Sequence, residues 1–204
     1  MTFSSLNTNK LVPQKATFYP LITSATGTYQ QFVYDSAGIR YLALRFTSSG
    51  SLVVPQSMTV QTLVVAGGGG GGGDGGAWGG AAGRGGNRID TPTLTAGATY
   101  TISIGGGGGA SYYGGTGGSS SISGTGVSLS ATGGTGSGPN YSGTSGSPGT
   151  FPRVSSITGV STTYSGYEDG TYGAAGVGYY TGHDYQSSGV QGVVVVLLTI
   201  GNFN

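Results

Sequence analysis

Leu63-Val-Val-Ala-Gly-Gly-Gly-Gly-Gly-Gly-Gly73 is the stretch on which the fold turns. A branched apolar run of strand character passes without a break into seven consecutive glycines. Of the 46 glycines in the 204-residue chain, 42 lie between residues 66 and 192, about one residue in three there. Ordinary glycine usage is about 7%. Such a tract has two physical outcomes. Glycine loses more backbone entropy on ordering than any other residue, so Gly/Ser tracts are flexible linkers by default. The other outcome is order without an apolar core. Something must then offset about 1–2 kcal/mol of backbone entropy per residue, and backbone hydrogen bonding between close-packed chains is what remains. Polyproline II helices have three residues per turn, no internal hydrogen bonds, and N–H and C=O groups that point outward. Where the side chains are hydrogens, neighbouring helices can approach until those groups bond each other. The expectation is therefore a lattice of polyglycine II helices. Gly67–Gly73, Gly105–Gly109, Gly114–Gly118 and Gly133–Gly136 are its interior spans, and the segments between them form loops at its ends.

Outward from the glycines, the chain reads as short strands. Tyr29–Tyr34 is aromatic and β-branched, and Asp35–Gly38 is a turn. Ile39–Thr47 alternates, with Leu42, Leu44 and Phe46 on one side and Tyr41, Ala43 and Arg45 on the other. Ser51–Val54 is strand-like up to Pro55, and Met58–Ala66 leads into the glycines. Inside the glycine region Ala98–Ile104 alternates, with Tyr100, Ile102 and Ile104 on one face; Ser119–Ser123 and Val127–Leu129 are weaker strands. Val190–Ile200 is long, branched and continuous, the pattern of a strand covered on both faces. No apolar residues recur at helical spacing, and Glu and Lys are nearly missing. The predicted fold is all-β and irregular, with essentially no α-helix: short β-strands frame a glycine-rich core of packed polyglycine II helices with loops at the tip. Residues 1–28 read as an N-terminal arm, 29–66 as a β-strand module, and 67–204 as a glycine-rich domain closed by a C-terminal strand, with 29–204 as one folding unit.

Charge and composition narrow the function. Lys+Arg number 7 and Asp+Glu 6, so a net charge of +1 gives no general pull toward nucleic acid or anionic membrane. With no cysteine there is no disulfide, thiolate metal site or thiol nucleophile. The longest purely apolar run, Val193–Leu198, is far short of the ~20 residues of a membrane-spanning helix. Met1-Thr-Phe-Ser-Ser5 lacks the basic and apolar regions of a secretory signal peptide. Gly67–Gly73 is not followed by the Lys-Ser/Thr of a phosphate-binding loop. Arg84-Gly-Gly-Asn-Arg88 resembles a single RGG element but has Asp74 and Asp90 nearby. His183-Asp184 and Glu168-Asp169 read as polar surface turns rather than as a catalytic pair or a cation site. With one His and six carboxylates the chain is not expected to be an enzyme, and neither a cofactor nor a metal is called for.

Tyrosine is the informative residue. Tyr112, Tyr113, Tyr141, Tyr164, Tyr167, Tyr172, Tyr179, Tyr180 and Tyr185, with His183 among them, fall in the later inter-glycine segments beside Ser, Thr, Asn and Gly. This is the composition of a paratope: tyrosine supplies a large, rigid, amphipathic contact, and the small polar residues adapt. These ten residues are the candidate binding residues. About half of the rings are expected instead to cap the ends of the bundle as packing, and Trp78 is open to either role.

Five segments, in order, carry a resemblance: Phe46-Thr-Ser-Ser-Gly50-Ser-Leu-Val-Val54; Leu63-Val-Val-Ala-Gly-Gly-Gly-Gly70; Leu94-Thr-Ala-Gly-Ala-Thr-Tyr-Thr-Ile-Ser-Ile-Gly105; Gly114-Gly-Thr-Gly-Gly-Ser-Ser-Ser121; and Gly192-Val-Val-Val-Val196. Over about residues 30–200 the chain resembles the glycine-rich domain of bacteriophage tail-fibre and adhesin proteins. The resemblance implies β-strands framing stacked polyglycine II helices, with variable tip loops that touch a host receptor. It implies a virion location, other virion proteins as partners, and a cell-surface protein or glycan as receptor; many tail-fibre tips are homotrimers, a state this sequence does not itself specify. The large fibre-docking domain of the T-even adhesins has no counterpart in residues 1–30. On this reading the N-terminal arm, with Lys10 and Lys15, attaches to the virion. A capsid decoration, head-fibre or minor tail protein is the alternative, in which the lattice is simply a stable spike. An ice-binding polyglycine II protein would need a flat Thr/Ser face repeating every three residues, which the irregular Tyr-rich loops argue against. Neither nucleic acid nor membrane insertion is expected.

Overall fold

The computed structural model describes residues 21–73, 79–148, 153–166, 172–176 and 187–202. Among them there is no helix. Fourteen strands alternate with glycine-rich segments. They are β1 (Ser24–Thr26), β2 (Tyr29–Ser36), β3 (Ile39–Phe46), β4 (Gly50–Val53), β5 (Met58–Thr59), β6 (Gln61–Val65), β7 (Asn87–Asp90), β8 (Thr93–Leu94), β9 (Thr99–Ser103), β10 (Ser120–Gly124), β11 (Val127–Ala131), β12 (Arg153–Ser155), β13 (Thr162–Tyr164) and β14 (Val193–Asn202).

Two antiparallel five-stranded sheets, in the orders β1-β4-β9-β10-β11 and β2-β3-β14-β6-β7, make a sandwich. The alternation read from the sequence sets its faces. Leu42, Leu44 and Phe46 of β3 point between the sheets, where they meet Leu52, Tyr100, Ile102, Ile122, Val194, Val196 and Leu198. Ala43 points the other way, onto a second apolar layer with Leu63, Val65, Ile157, Tyr164, Val193 and Val195. The β12–β13 hairpin covers that outer face. β14, buried on both sides, pairs with β3 and with β6, joining the strands before the glycines to the strand after them. Each Val or Leu it buries contributes about 1.5–3 kcal/mol. Of the strands that lie where the sequence showed no alternation, two belong to the sandwich. β1 falls in the expected N-terminal arm and pairs with β4. β7 lies inside the glycine region and pairs with β6 through Leu63↔Ile89. Both are short edge strands whose pairing is set by a neighbour.

Beyond one end of the sandwich the strands run on as glycine helices. Residues 66–73 continue β6, 105–111 continue β9 and 132–138 continue β11, while 79–86, 114–118 and 187–192 lead into β7, β10 and β14. Their bonding repeats every three residues. Gly67 and Gly70 donate to Gly118 and Gly115, and Gly68 and Gly71 donate to Val190 and Ser187. Gly69 donates to Gly83, and Gly72 to the hydroxyl of Ser137. The carbonyls do likewise: Gly67 and Gly70 accept from Gly134 and Ser137, Gly68 and Gly71 from Gly108 and Ser111, and Gly69 from Gly176. Segment 66–73 is thus bonded to six surrounding segments, three through its donors and three through its acceptors. That is the hexagonal packing of polyglycine II, with three residues per turn. An eighth segment, 141–147, packs outside on 79–86 and 132–138. The need for glycine is steric. A Cβ on Gly68 would lie 1.8 Å from the Ala174 carbonyl oxygen, whereas one on Gly106 would meet nothing within 4 Å.

Candidate binding surface

Away from the sandwich, the glycine helices end in turns. Residues 110–113 join 105–109 to 114–118, and Pro139-Asn140 joins Gly138 to Tyr141. Gly79 and Ser187 lie at this same end, since Gly71 is bonded to both Ser187 and Ser111 and Gly79 bridges Pro139. The turns are tied to the lattice. Gly73 donates to the Tyr112 carbonyl at 3.0 Å, Ser111 donates to Gly71 at 3.3 Å, and Ala110 donates to the Ser188 hydroxyl at 3.2 Å. Gly138 and Tyr141 exchange backbone bonds at 3.2 and 3.3 Å around Asn140, which holds a left-handed φ of 62°. Asparagine is among the few non-glycine residues that enter this region readily.

Three tyrosines stand on these anchored turns, with exposures of 46% (Tyr112), 64% (Tyr113) and 47% (Tyr141). The rings of Tyr112 and Tyr113 meet edge to face, with centroids 4.7 Å apart. Their neighbours are Ala110, Ser111, Pro139 and Asn140, and no charged side chain stands on either described turn. The surface can offer ring faces, phenol hydroxyls and small hydrogen-bonding groups on a backbone with little freedom left to lose. Ser111 and Asn140 belong to it too. The signal that could have found them is their place beside tyrosine in the inter-glycine turns.

The remaining candidate residues fall elsewhere. Tyr164 is not on a tip loop: it is fully buried on the outer face of the second sheet, stacked on Tyr172 with centroids 6.2 Å apart. Tyr172 is half-buried there, and Arg45 lies over its ring at 5.5 Å and over that of Phe32 at 4.7 Å. The cause is chain path. After 141–147 the chain returns to the sandwich, so Tyr164 and Tyr172 meet a sheet face rather than the tip. Burial raises the Tyr164 phenol above its ordinary value, with Thr162, Arg45 and Thr158 pulling the other way. Tyr167, Tyr179, Tyr180, His183 and Tyr185 lie outside the described residues, as do Lys10, Lys15, Trp78, Glu168 and Asp184.

The other motifs resolve into structure. The N–H groups of Gly67–Gly73 are all bonded within the lattice, leaving no cradle for a phosphate. Of the RGG-like stretch, Gly85 and Gly86 donate to Gly173 and Thr132, and Arg88 pairs with Asp90 at 2.7 Å, which lowers the pKa of that carboxylate. Among the described residues no three His, Cys, Asp or Glu side chains gather as a metal site, and no helix is long and apolar enough to cross a membrane.

A family model described as a glycine-rich domain matches residues 47–201. The match begins at the end of β3 and closes within β14, so it spans the lattice and most of the sandwich. No curated protein matches the chain.

Proposed function

The chain belongs to the glycine-rich domain family, and on that premise we propose that it is a bacteriophage virion structural protein acting as a tail-fibre tip or receptor-binding adhesin. The observation that supports this reading is the placement of Tyr112, Tyr113 and Tyr141, all about half exposed, on turns hydrogen-bonded to an ordered lattice at the end away from the sandwich. Rigid tyrosines flanked by Ser and Asn bind with little ordering cost. The receptor is a host cell-surface protein or glycan, and several copies per particle multiply a modest affinity. The sandwich end faces the particle. The virion assignment rests on the sequence resemblance to phage adhesins.

Adsorption tests it. Changing Tyr112, Tyr113 and Tyr141 together to Ser is expected to lower the adsorption rate of the source virus at least tenfold, an effect of about 1.4 kcal/mol or more. The three side chains are about half exposed, with the Tyr141 ring resting against Gly138, so the melting temperature is expected to fall only slightly. Unchanged adsorption with normal melting would remove this tip as the receptor site. Antibody labelling of intact particles that decorates the capsid rather than a tail or fibre end would remove the adhesin role.

A further inference from the structure

At the opposite end of the molecule from the tip, the outer face of the second sheet carries a cleft of about 540 Å³. Sites for small molecules run from about 300 to 1,000 Å³. Its floor is a row across three strands: Tyr34 lies directly opposite Tyr41, which lies directly opposite Thr199. Gln61 extends the floor, and Ser155 and Ser156 of the β12–β13 hairpin form a wall.

The two rings are stacked, with centroids 5.4 Å apart and planes 26° from parallel. Tyr34 is held from the wall side. Its hydroxyl donates to the Ile157 carbonyl at 3.2 Å, and Gly159 packs so closely that a Cβ there would lie 2.7 Å from the ring Cγ. Gly159 has a φ of +82°, which glycine holds without strain. The hairpin is thus built to press its backbone onto this ring. Thr199 and Gln61 are exposed, and Tyr34 and Tyr41 are half-buried.

The lining decides the ligand class. It holds no charged side chain, so an anion or cation would enter without a counter-charge. It holds hydroxyls and an amide that both donate and accept, beside an aromatic platform. A ligand with hydroxyls around its rim and one apolar C–H face satisfies both features, because weakly positive C–H groups sit well on the electron-rich face of a ring. We propose that this cleft binds a neutral saccharide, its C–H face on Tyr41 and its hydroxyls bonded to Gln61, Thr199, Ser155 and Ser156. The site is separate from the tip and does not depend on what the tip binds.

The test is titration of the full chain, labelled with ¹³C on its tyrosine rings, with cellobiose, lactose and N,N′-diacetylchitobiose. At least one of these is expected to shift the Tyr34 and Tyr41 signals saturably, with a Kd on the order of 1 mM. Tyr41→Ala should weaken binding at least tenfold. Thr199→Arg, an exposed change that fills the cleft without touching the core, should do the same with melting unchanged. Tyr112→Ala should titrate like the parent. No saturable shift of Tyr41 up to about 50 mM of all three sugars, or binding that survives Thr199→Arg, would overturn the proposal. Shifts confined to Tyr112, Tyr113 or Tyr141 would overturn it too, while leaving the tip reading standing.

Discussion

Val64 and Tyr100 are fully buried between two sheets; a few residues further along the same strands, Gly68 and Gly107 meet carbonyl oxygens where no methyl group fits. One end of the molecule coheres through side chains and the other through their absence. The energetics differ accordingly. A buried Leu or Val contributes about 1.5–3 kcal/mol, more than the ~1–2 kcal/mol needed to order its backbone. A glycine in the lattice has only its hydrogen bonds, each worth a net ~0.5–1.5 kcal/mol, against the same or greater entropy. The lattice alone is therefore close to balance. What tips it is continuity: six of its segments run directly into or out of sandwich strands, which fix their register and spacing. The sandwich anchors the bundle, and the bundle holds out the turns.

The contrast can be broken most severely at the lattice centre. Gly68→Ala puts a methyl group 1.8 Å from a backbone oxygen that no rotamer change can move. A loss of more than about 4 kcal/mol is expected, seen as failure to recover folded protein or as a collapsed melting temperature. In the sandwich, Phe46→Ala opens a cavity among residues that are themselves fully buried. A cost of about 3–5 kcal/mol is expected by denaturant titration. If Gly68→Ala proved the milder change, the lattice would be looser than its carbonyl contacts imply.

The third test uses pH. Burial lifts the Tyr164 phenol above its ordinary value of 10.0, so the folded chain holds that proton more tightly than the unfolded one. Its contribution is complete below pH 10 and is lost as pH rises through the folded value. Between about pH 9 and pH 11 the parent's melting temperature should fall more steeply than that of Tyr164→Phe. Parallel curves would mean that Tyr164 does not carry the alkaline loss. The smallest effect is expected at Gly106, whose outward position leaves an added Cβ in open space. Gly106→Ala should raise stability by about 0.4–1 kcal/mol through the unfolded state. Read beside Gly68→Ala, it separates glycines required by contact from glycines that merely share a run.

Several features were legible in the residues. The period of two in Ile39–Thr47 marked which side chains would meet the core, and the unbroken Val193–Leu198 run marked a strand covered on both faces. Both depend on side chains, which carry their environment in their chemistry. Turn tyrosines next to Ser and Asn were legible as surface at Tyr112, Tyr113 and Tyr141, where the chain reverses between two glycine runs. The same composition misled at Tyr164. There the chain had already returned to the sandwich, and nothing local to Thr162-Thr-Tyr164 distinguishes a tip turn from a hairpin lying on a sheet. β1 and β7 were not legible, because an edge strand of three or four residues takes its shape from the partner it pairs with.

Composition alone determined that any order in the glycine runs within residues 67–192 had to rest on backbone bonds between closely packed chains, because glycine has nothing else to bury. Strand alternation determined where an apolar core would form. Only the tertiary structure decided that segment 66–73 is the centre, which six segments surround it, and which tyrosines reach the tip. A glycine run presents the same surface in every direction and every register. Its neighbours are therefore chosen by the strands that feed it and not by anything written along its own length.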